Sequence, residues 1–314
     1  MPPIKRIAIL GAGAMGGAYA AMFDAVEAFD PMFVARGPRA ERLAQGGLIV
    51  NGKKILLPVV RPEDNILAAD LIMVALKHHH LRDALDDLRP LVGEKTTILS
   101  IMNGLESEET IGAAYGMNKL LLSIAVGIDA LRDGNRISYS NPGKILFGEV
   151  RNAEVSPRVR QLQAAFTQAG IPYDTPEDMQ RTLWWKFMIN VSMNQASAVM
   201  RAPYGIFQTS ADARALMQAL MHEVITLAQA SGVKLSEVDI EDWHDILQTL
   251  SPKGKTSMLQ DIEAGRPTEV DVFGGKVVAL GRALGIVTPV NDALLHTIRV
   301  LESPMSPTVA AAGS

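Results

Sequence analysis

Through residue 175, short apolar runs alternate with stretches of helical periodicity. Residues 7–10, 32–35, 71–76, 97–101 and 120–126 are short, largely apolar runs, the pattern of strands covered on both faces. Residues 15–27, 38–45, 79–89 and 106–115 fit the helices between them. Such alternation predicts a doubly wound α/β domain with a parallel sheet. Two runs, 48–50 and 54–59, flank Asn51-Gly52, the favoured two-residue hairpin turn. Residues 136–140 and 144–149, joined by Asn141-Pro142-Gly143, predict two more strands, followed by a helix at 157–169 and a strand at 171–174 that close the sheet in an antiparallel sense. From Pro176 the pattern becomes helical, with apolar faces over 181–200, 211–231, 236–250 and 270–284. The change of texture at 173–177, where Pro176 breaks the preceding element, predicts a first domain of residues 1–175 and a mostly α-helical second domain of residues 176–314. Residues 303–314, with two prolines and a run of alanines, read as a frayed tail.

Length agrees with this division, since 314 residues exceed one average domain. A formal net charge of −4 offers no general attraction to nucleic acid or anionic lipid, so an anionic ligand must be held by a local basic site. The absence of cysteine excludes a disulfide framework, a thiolate zinc site and a cysteine nucleophile. Lys5 and Arg6 precede a short apolar run as in a signal peptide, but glycines interrupt it after about five residues. No stretch reaches the ~20 apolar residues that span a bilayer, and a cytoplasmic protein is expected.

Chemistry concentrates at the ends of the predicted strands. Gly11-Ala12-Gly13-Ala14-Met15-Gly16 has the spacing G-x-G-x-x-G, after a strand and opening a helix. There Gly11 permits a tight turn, Gly13 lets backbone approach a pyrophosphate, and Gly16 lets helix and strand pack closely. The second strand ends at Arg36, with Arg39 beyond it, where an NAD site usually places an acid. A guanidinium there suits a 2′-phosphate and predicts NADP(H). Asp30 lies at the other end of the same strand. Lys77 and Asn103 follow the third and fourth strands, at the edge where such sheets bind ligands, although a solvated charge and a simple turn would also account for them. His78-His79-His80 does not put its rings on one helix face, and no metal site is expected.

In the second domain, Lys186, Asn190 and Asn194 are four apart and share one face of an otherwise apolar helix. A lysine in partly dry surroundings can serve as general acid toward a carbonyl oxygen. The amides alone could equally serve backbone groups. Ser257 opens the run Ser257-Met-Leu-Gln-Asp-Ile262, and Glu269 lies near a helix start, where electrostatic capping is an alternative role.

Taken together, GAGAMG, VALK ending at Lys77, MNG around Asn103, LWWKFMINVSMN, SMLQDI with PTEVD, and GIVTPVND resemble the ketopantoate reductase (2-dehydropantoate 2-reductase) family over nearly the whole chain. The resemblance implies a Rossmann-type NADP-binding domain and NADPH-dependent reduction of 2-dehydropantoate to pantoate, a step of pantothenate and coenzyme A synthesis. It implies that Lys186 protonates the ketone oxygen and that Glu269 bonds the substrate hydroxyl and lies against the cofactor. Asn190 and Asn194 would orient the substrate, and Ser257 would hold its carboxylate. Lys77 and Asn103 would bridge cofactor and substrate, while residues Gly11, Ala12, Gly13, Ala14, Met15, Gly16 and Arg36 would hold the cofactor. A homodimer is implied, with no nucleic-acid or membrane partner. The chain departs from the pattern at Met102, often glutamine; at Gln195, commonly proline; and at Gly254, often a substrate-binding asparagine. The alternatives are a reductase of another small 2-keto acid and a non-catalytic NADPH-binding regulator.

Overall fold

The computed structural model describes residues 2–303, and the chain divides into two compact units, Met1–Leu183 and Trp184–Ser314. Most of the tail expected at 303–314 lies outside the described residues. In the first unit, β1 (Arg6–Leu10), β2 (Asp30–Val34), β3 (Leu48–Val50), β4 (Lys53–Ile55), β5 (Val59–Val60), β6 (Leu71–Val74), β7 (Thr97–Ser100), β8 (Leu120–Ile128), β9 (Leu131–Asp133), β10 (Arg136–Ser138), β11 (Pro142–Gly148) and β12 (Tyr173–Asp174) form two sheets. The larger runs β12-β11-β8-β7-β6-β1-β2-β5; the smaller runs β4-β3-β10-β9. From β7 to β5 the neighbours are parallel, as expected, and β11 joins β8 antiparallel.

Continuous apolarity in the central strands follows from two buried faces. Ile7, Ile9, Leu71, Met73 and Leu99 belong to one core with Phe23, Phe147 and Phe166, whereas the alternating Ala8, Leu10, Ile72, Val74 and Ile98 belong to another with Leu81, Leu88 and Ile111. These faces are covered by α1 (Ala14–Asp24), α2 (Gly37–Gly46), α3 (Leu81–Ala84), α4 (Ser107–Tyr115) and α5 (Pro157–Ala169).

Two local expectations need correction. Residues 79–89 do not form one helix: 3-10 turns at His78–His80 and Leu85–Leu91 flank the single α turn α3, and Pro90 lacks the N–H that a longer helix would use. The run 54–59 splits, because β4 ends at Ile55 and, past Pro58, β5 joins the main sheet beside β2. The two strands expected at 136–140 and 144–149 are present and belong to different sheets. Asp129 Oδ1 accepts from the Ser140 and Asn141 amides at 2.9 and 2.8 Å, and this turn carries the chain from β10 in the small sheet to β11 in the large one.

The division between units falls inside α6 (Met179–Met200), later than the change of texture at 173–177. The second unit continues with α7 (Tyr204–Thr209), α8 (Ala211–Ala230), α9 (Glu237–Thr249), α10 (Ser257–Glu263), α11 (Lys276–Leu284) and α12 (Pro289–Glu302). Of these, α7, α10 and α12 were not expected from periodicity. A buried polar chain holds α6, α8 and α12 together. Gln195 Nε2 donates to Asn291 Oδ1 at 2.8 Å, Asn291 Nδ2 donates to Glu223 Oε2 at 2.7 Å, and the same carboxylate accepts the Val290 and Asn291 amides at 2.8 and 3.0 Å. Glu223 thereby satisfies donors that a helix start leaves orphaned. A proline at 195 would supply no side-chain amide for this chain, so Gln195 has a structural reason to depart from the pattern.

Glu149, just beyond β11, holds the start of α5. It accepts from Ser156 Oγ and Arg158 Nε, both at 2.7 Å, and its second oxygen meets Arg158 Nη2. The Arg158 hydrogen bond keeps the Glu149 carboxyl below the ordinary glutamate range, against the opposing effect of burial. A lowered folded-state value contributes stability that is present above the unfolded value and lost as pH falls through the folded one. We therefore expect Glu149→Gln to cost about 1.5–3 kcal/mol in denaturant unfolding near neutral pH. Its deficit should close only as pH falls below the usual glutamate value of 4.5. A deficit that stayed constant through that range would remove the charge from the explanation.

Candidate active site

Register brings the strand ends together. Leu10 lies opposite Val34 and Val74, and Val74 lies opposite Ser100, so β2, β1, β6 and β7 end side by side. The residues that follow them, Arg36, the glycine loop, Lys77 and Asn103, therefore share the carboxyl edge of the sheet, where doubly wound folds take ligands. Asp30 stands opposite Arg6 at the other edge and pairs with Lys5 at 3.5 Å, which leaves Arg36 as the charged residue at the ligand end of β2.

The three glycines of the loop meet different demands. Gly11 has φ +110°, and a Cβ there would stand 2.4 Å from the Ala75 carbonyl oxygen; at Gly16 a Cβ would stand 1.9 Å from the Gly11 oxygen. Gly13 is different, since its Cβ would meet only the Ala75 oxygen at 3.9 Å. Backbone packing thus demands Gly11 and Gly16, while the space at Gly13 is a cradle left open by the protein. Gly13 is also the N-cap of α1, and no side chain caps that end. An uncapped helix start beside an open cradle fits the diphosphate of a dinucleotide.

Beside the loop lies a cavity of about 210 Å³ lined by Gly11, Val34, Arg36, Arg39, His80 and Asp87 among others. Arg36 Nη2 donates to the Asp83 carbonyl at 2.8 Å, and Nη1 approaches Asp87 Oδ1 at 3.5 Å. Burial pushes the Asp87 carboxyl up, and Arg36 opposes it. The His80 imidazole is held low, first by burial and then by His79 and Arg39, with Asp83 acting the other way. Asp83 and Asp87 escaped the sequence reading because they meet Arg36 only once the turns after β6 are folded, and His80, read there only as part of the histidine run, lines the same cavity. His78 of the triple-histidine run lies 3.2 Å from Glu106. Among the described residues, no group of acidic, histidine or cysteine side chains has metal-binding geometry.

Asn103, half-buried, follows a turn fixed by buried hydroxyls: Ser100 Oγ donates to Ser107 Oγ at 2.7 Å, and Ser123 Oγ donates to the Ser100 carbonyl at 2.6 Å. Met102, in place of a frequent glutamine, is buried in the apolar core under this turn.

In the second unit, burial deepens along the polar face of α6. Lys186 and Asn190 are half-buried and Asn194 is buried. Two contacts tie other expected residues to the Asn194 end. Ser197 Oγ meets Thr256 Oγ1 at 2.5 Å, and Thr256 is the N-cap of α10, which Ser257 opens. The turn Asp271–Gly275 approaches so closely that a Cβ on Gly274 would stand 2.3 Å from Gln195 Oε1, and Glu269 leads into that turn by accepting the Val272 amide at its carbonyl. Ser257 is exposed and Glu269 half-buried.

Comparison with known proteins bears on both units. Residues 7–152 match the family model described as ketopantoate reductase PanE/ApbA, and residues 178–302 match that of its C-terminal domain. A 2-dehydropantoate 2-reductase of Mesorhizobium japonicum is 31% identical over 331 aligned positions, covering 94% of this chain and 97% of that protein. The crystal structure of 2-dehydropantoate 2-reductase from Geobacter metallireducens is 30% identical with a TM-score of 0.81, over 94% of this chain and 99% of the other. D-mandelate dehydrogenase, solved with NADH and anilino(oxo)acetate, shares the fold at a TM-score of 0.85 and 21% identity, over 95% and 98% of the two chains.

The glycine geometry separates folding from binding. Gly16→Ala is expected to cost about 1–3 kcal/mol in denaturant unfolding, through overpacking against the Gly11 carbonyl. Gly13→Ala should leave unfolding within about 0.5 kcal/mol of the parent and weaken dinucleotide binding in a fluorescence titration. Equal destabilisation by both would contradict the open cradle.

Proposed function

The chain belongs to the ketopantoate reductase family, and from that premise we propose that it reduces 2-dehydropantoate to pantoate with NADPH, in pantothenate and coenzyme A synthesis. It is an oxidoreductase that works with a nicotinamide dinucleotide on a small keto acid. The observation that carries the reading is the alignment of four strand ends, which sets the open glycine cradle, Arg36, Lys77 and Asn103 along one edge.

On this reading, residues Gly11, Ala12, Gly13, Ala14, Met15 and Gly16 hold the diphosphate through backbone N–H groups, and Arg36 recognises the 2′-phosphate. A guanidinium has five donors, so the contacts of Arg36 with Asp83 and Asp87 orient the group and leave others for an anion. Lys77 and Asn103 bridge cofactor and substrate. NADPH, when bound, supplies the hydride. Lys186 donates a proton to the ketone oxygen as charge develops there, Glu269 bonds the substrate hydroxyl and the cofactor, Asn190 and Asn194 orient the substrate, and Ser257 holds its carboxylate. Positioning and one proton are what the protein adds to the cofactor's chemistry. Among the described residues no helix is long and apolar enough to cross a membrane. A cytoplasmic homodimer completes the proposal.

Gly254 favours one other reading, reduction of a different small 2-keto acid. A Cβ at 254 would stand 2.8 Å from Cδ2 of Tyr204, so the aromatic ring takes the space that an asparagine side chain would need. Initial rates over a panel of 2-keto acids with NADPH separate the two readings, and ketopantoate ranking last would favour the second.

Purified protein with ketopantoate should oxidise NADPH much faster than NADH, followed by absorbance of the reduced nicotinamide. Binding of NADPH without oxidation of it by any 2-keto acid would point to a regulatory protein instead. Lys186→Ala should lower kcat by about 100-fold or more, the cost of losing a general acid, with NADPH affinity unchanged. Unchanged turnover would take Lys186 out of the mechanism. Arg36→Ala should weaken NADPH far more than NADH, and an equal loss would refute the 2′-phosphate role.

A further inference from the structure

The small sheet brings a residue from far along the chain onto the glycine loop. Arg132, in β9, donates through Nη1 to the Ala12 carbonyl and through Nε to the Gly134 carbonyl at 2.8 Å, which holds its part-buried guanidinium in one orientation. Its support is rigid. β9 pairs with β10 and β10 with β3, and this sheet packs on α1 at Gly17, where a Cβ would stand 2.3 Å from Ile137 Cδ1 and 3.0 Å from Leu48 Cδ1. Glycine at 17 thus lets the Ile137 and Leu48 side chains of the small sheet seat directly on α1.

Charge supplies an independent observation. Partial burial holds the Arg39 guanidinium below the ordinary arginine range, and the charges of Arg132 and Arg42 push it the same way; for Arg132 the causes are burial and then Arg42. Three like charges thus feel one another beside the loop. Among the described residues, no carboxylate pairs with Arg39, Arg42 or Arg132, although the chain carries 34 acidic residues against 30 lysines and arginines. The neighbouring Arg36, by contrast, has Asp87. A repulsive cluster left without acids beside an open cradle is complementary to a polyanion.

We propose that Arg132, held on the Ala12 carbonyl of the glycine loop, binds the diphosphate of the dinucleotide and so adds a side-chain cation to the backbone N–H groups at the start of α1, while Arg39 and Arg42 add to the positive field. The proposal rests on the nicotinamide-dinucleotide reading above. It assigns to the small sheet a binding role: carrying a phosphate ligand to a loop that belongs to the large one.

Two fragments test it by titration calorimetry on the full chain. ADP-ribose has the diphosphate and no 2′-phosphate, and adenosine 2′-monophosphate has the reverse. Arg132→Met should weaken ADP-ribose, NADH and NADPH about tenfold or more, the loss of a charge-assisted hydrogen bond, and leave adenosine 2′-monophosphate unchanged. Unchanged affinity for ADP-ribose overturns the proposal. So does loss confined to adenosine 2′-monophosphate, which would move Arg132 to the other phosphate, and so does equal loss of both fragments, which would mark a structural role through Ala12. If Arg132→Met fails to fold, Arg132→Lys reads the same comparison with the charge kept and the planar fork removed. Parental protein that binds neither NADPH nor NADH overturns the cofactor reading itself, an outcome separate from those of the variants.

Discussion

In the first unit the β1–α1 turn packs backbone against backbone, pressing on the residue that follows β6. No side chain fits at Gly11 or Gly16, because the Ala75 and Gly11 carbonyl oxygens already occupy that space. This steric condition brings α1 down onto the sheet with its N-terminus at the carboxyl edge. It also sets the place of the small sheet, which rests on α1 through Gly17, and so the place of Arg132. Ligand chemistry at that edge depends on backbone that can approach and on N–H groups left without caps.

Around that edge the structure uses acids sparingly and in specific places. The Asp87 carboxylate and the Asp83 backbone carbonyl take part of the Arg36 guanidinium, whereas Arg39, Arg42 and Arg132 have no carboxylate partner among the described residues. A protein with net charge −4 can therefore carry a local positive field where its ligand is anionic. In the second unit, polar side chains serve two ends. Gln195, Asn291 and Glu223 form a hydrogen-bonded chain that ties three helices together, while Lys186, Asn190 and Asn194 lie along a graded, partly accessible face.

The departures from the family pattern acquire physical reasons in this setting. Gln195 is an element of the buried network, Met102 fills core under the Asn103 turn, and Gly254 leaves room for the Tyr204 ring. The first two sit in buried packing, whereas the third sets how the Tyr204 ring of α7 packs against the turn before α10.

Sequence alone determined the central strands, the glycine loop, the Arg36 position and the polar face of α6, because each rests on local periodicity or on spacing within a few residues. It also carried the family resemblance, whose motifs run along the whole chain. Tertiary structure decided the rest. The 79–89 segment has enough apolar residues for a helix, but its form depends on Pro90 and on the packing of short turns. The pairing of β10 with β3 and of β5 with β2 joins residues distant in sequence, for which periodicity holds no signal. Asp87 beneath Arg36, Thr256 against Ser197 and Arg132 over Ala12 are meetings of the same kind. Pattern reports which residues seek burial or solvent, and only the folded chain determines which distant partners they find.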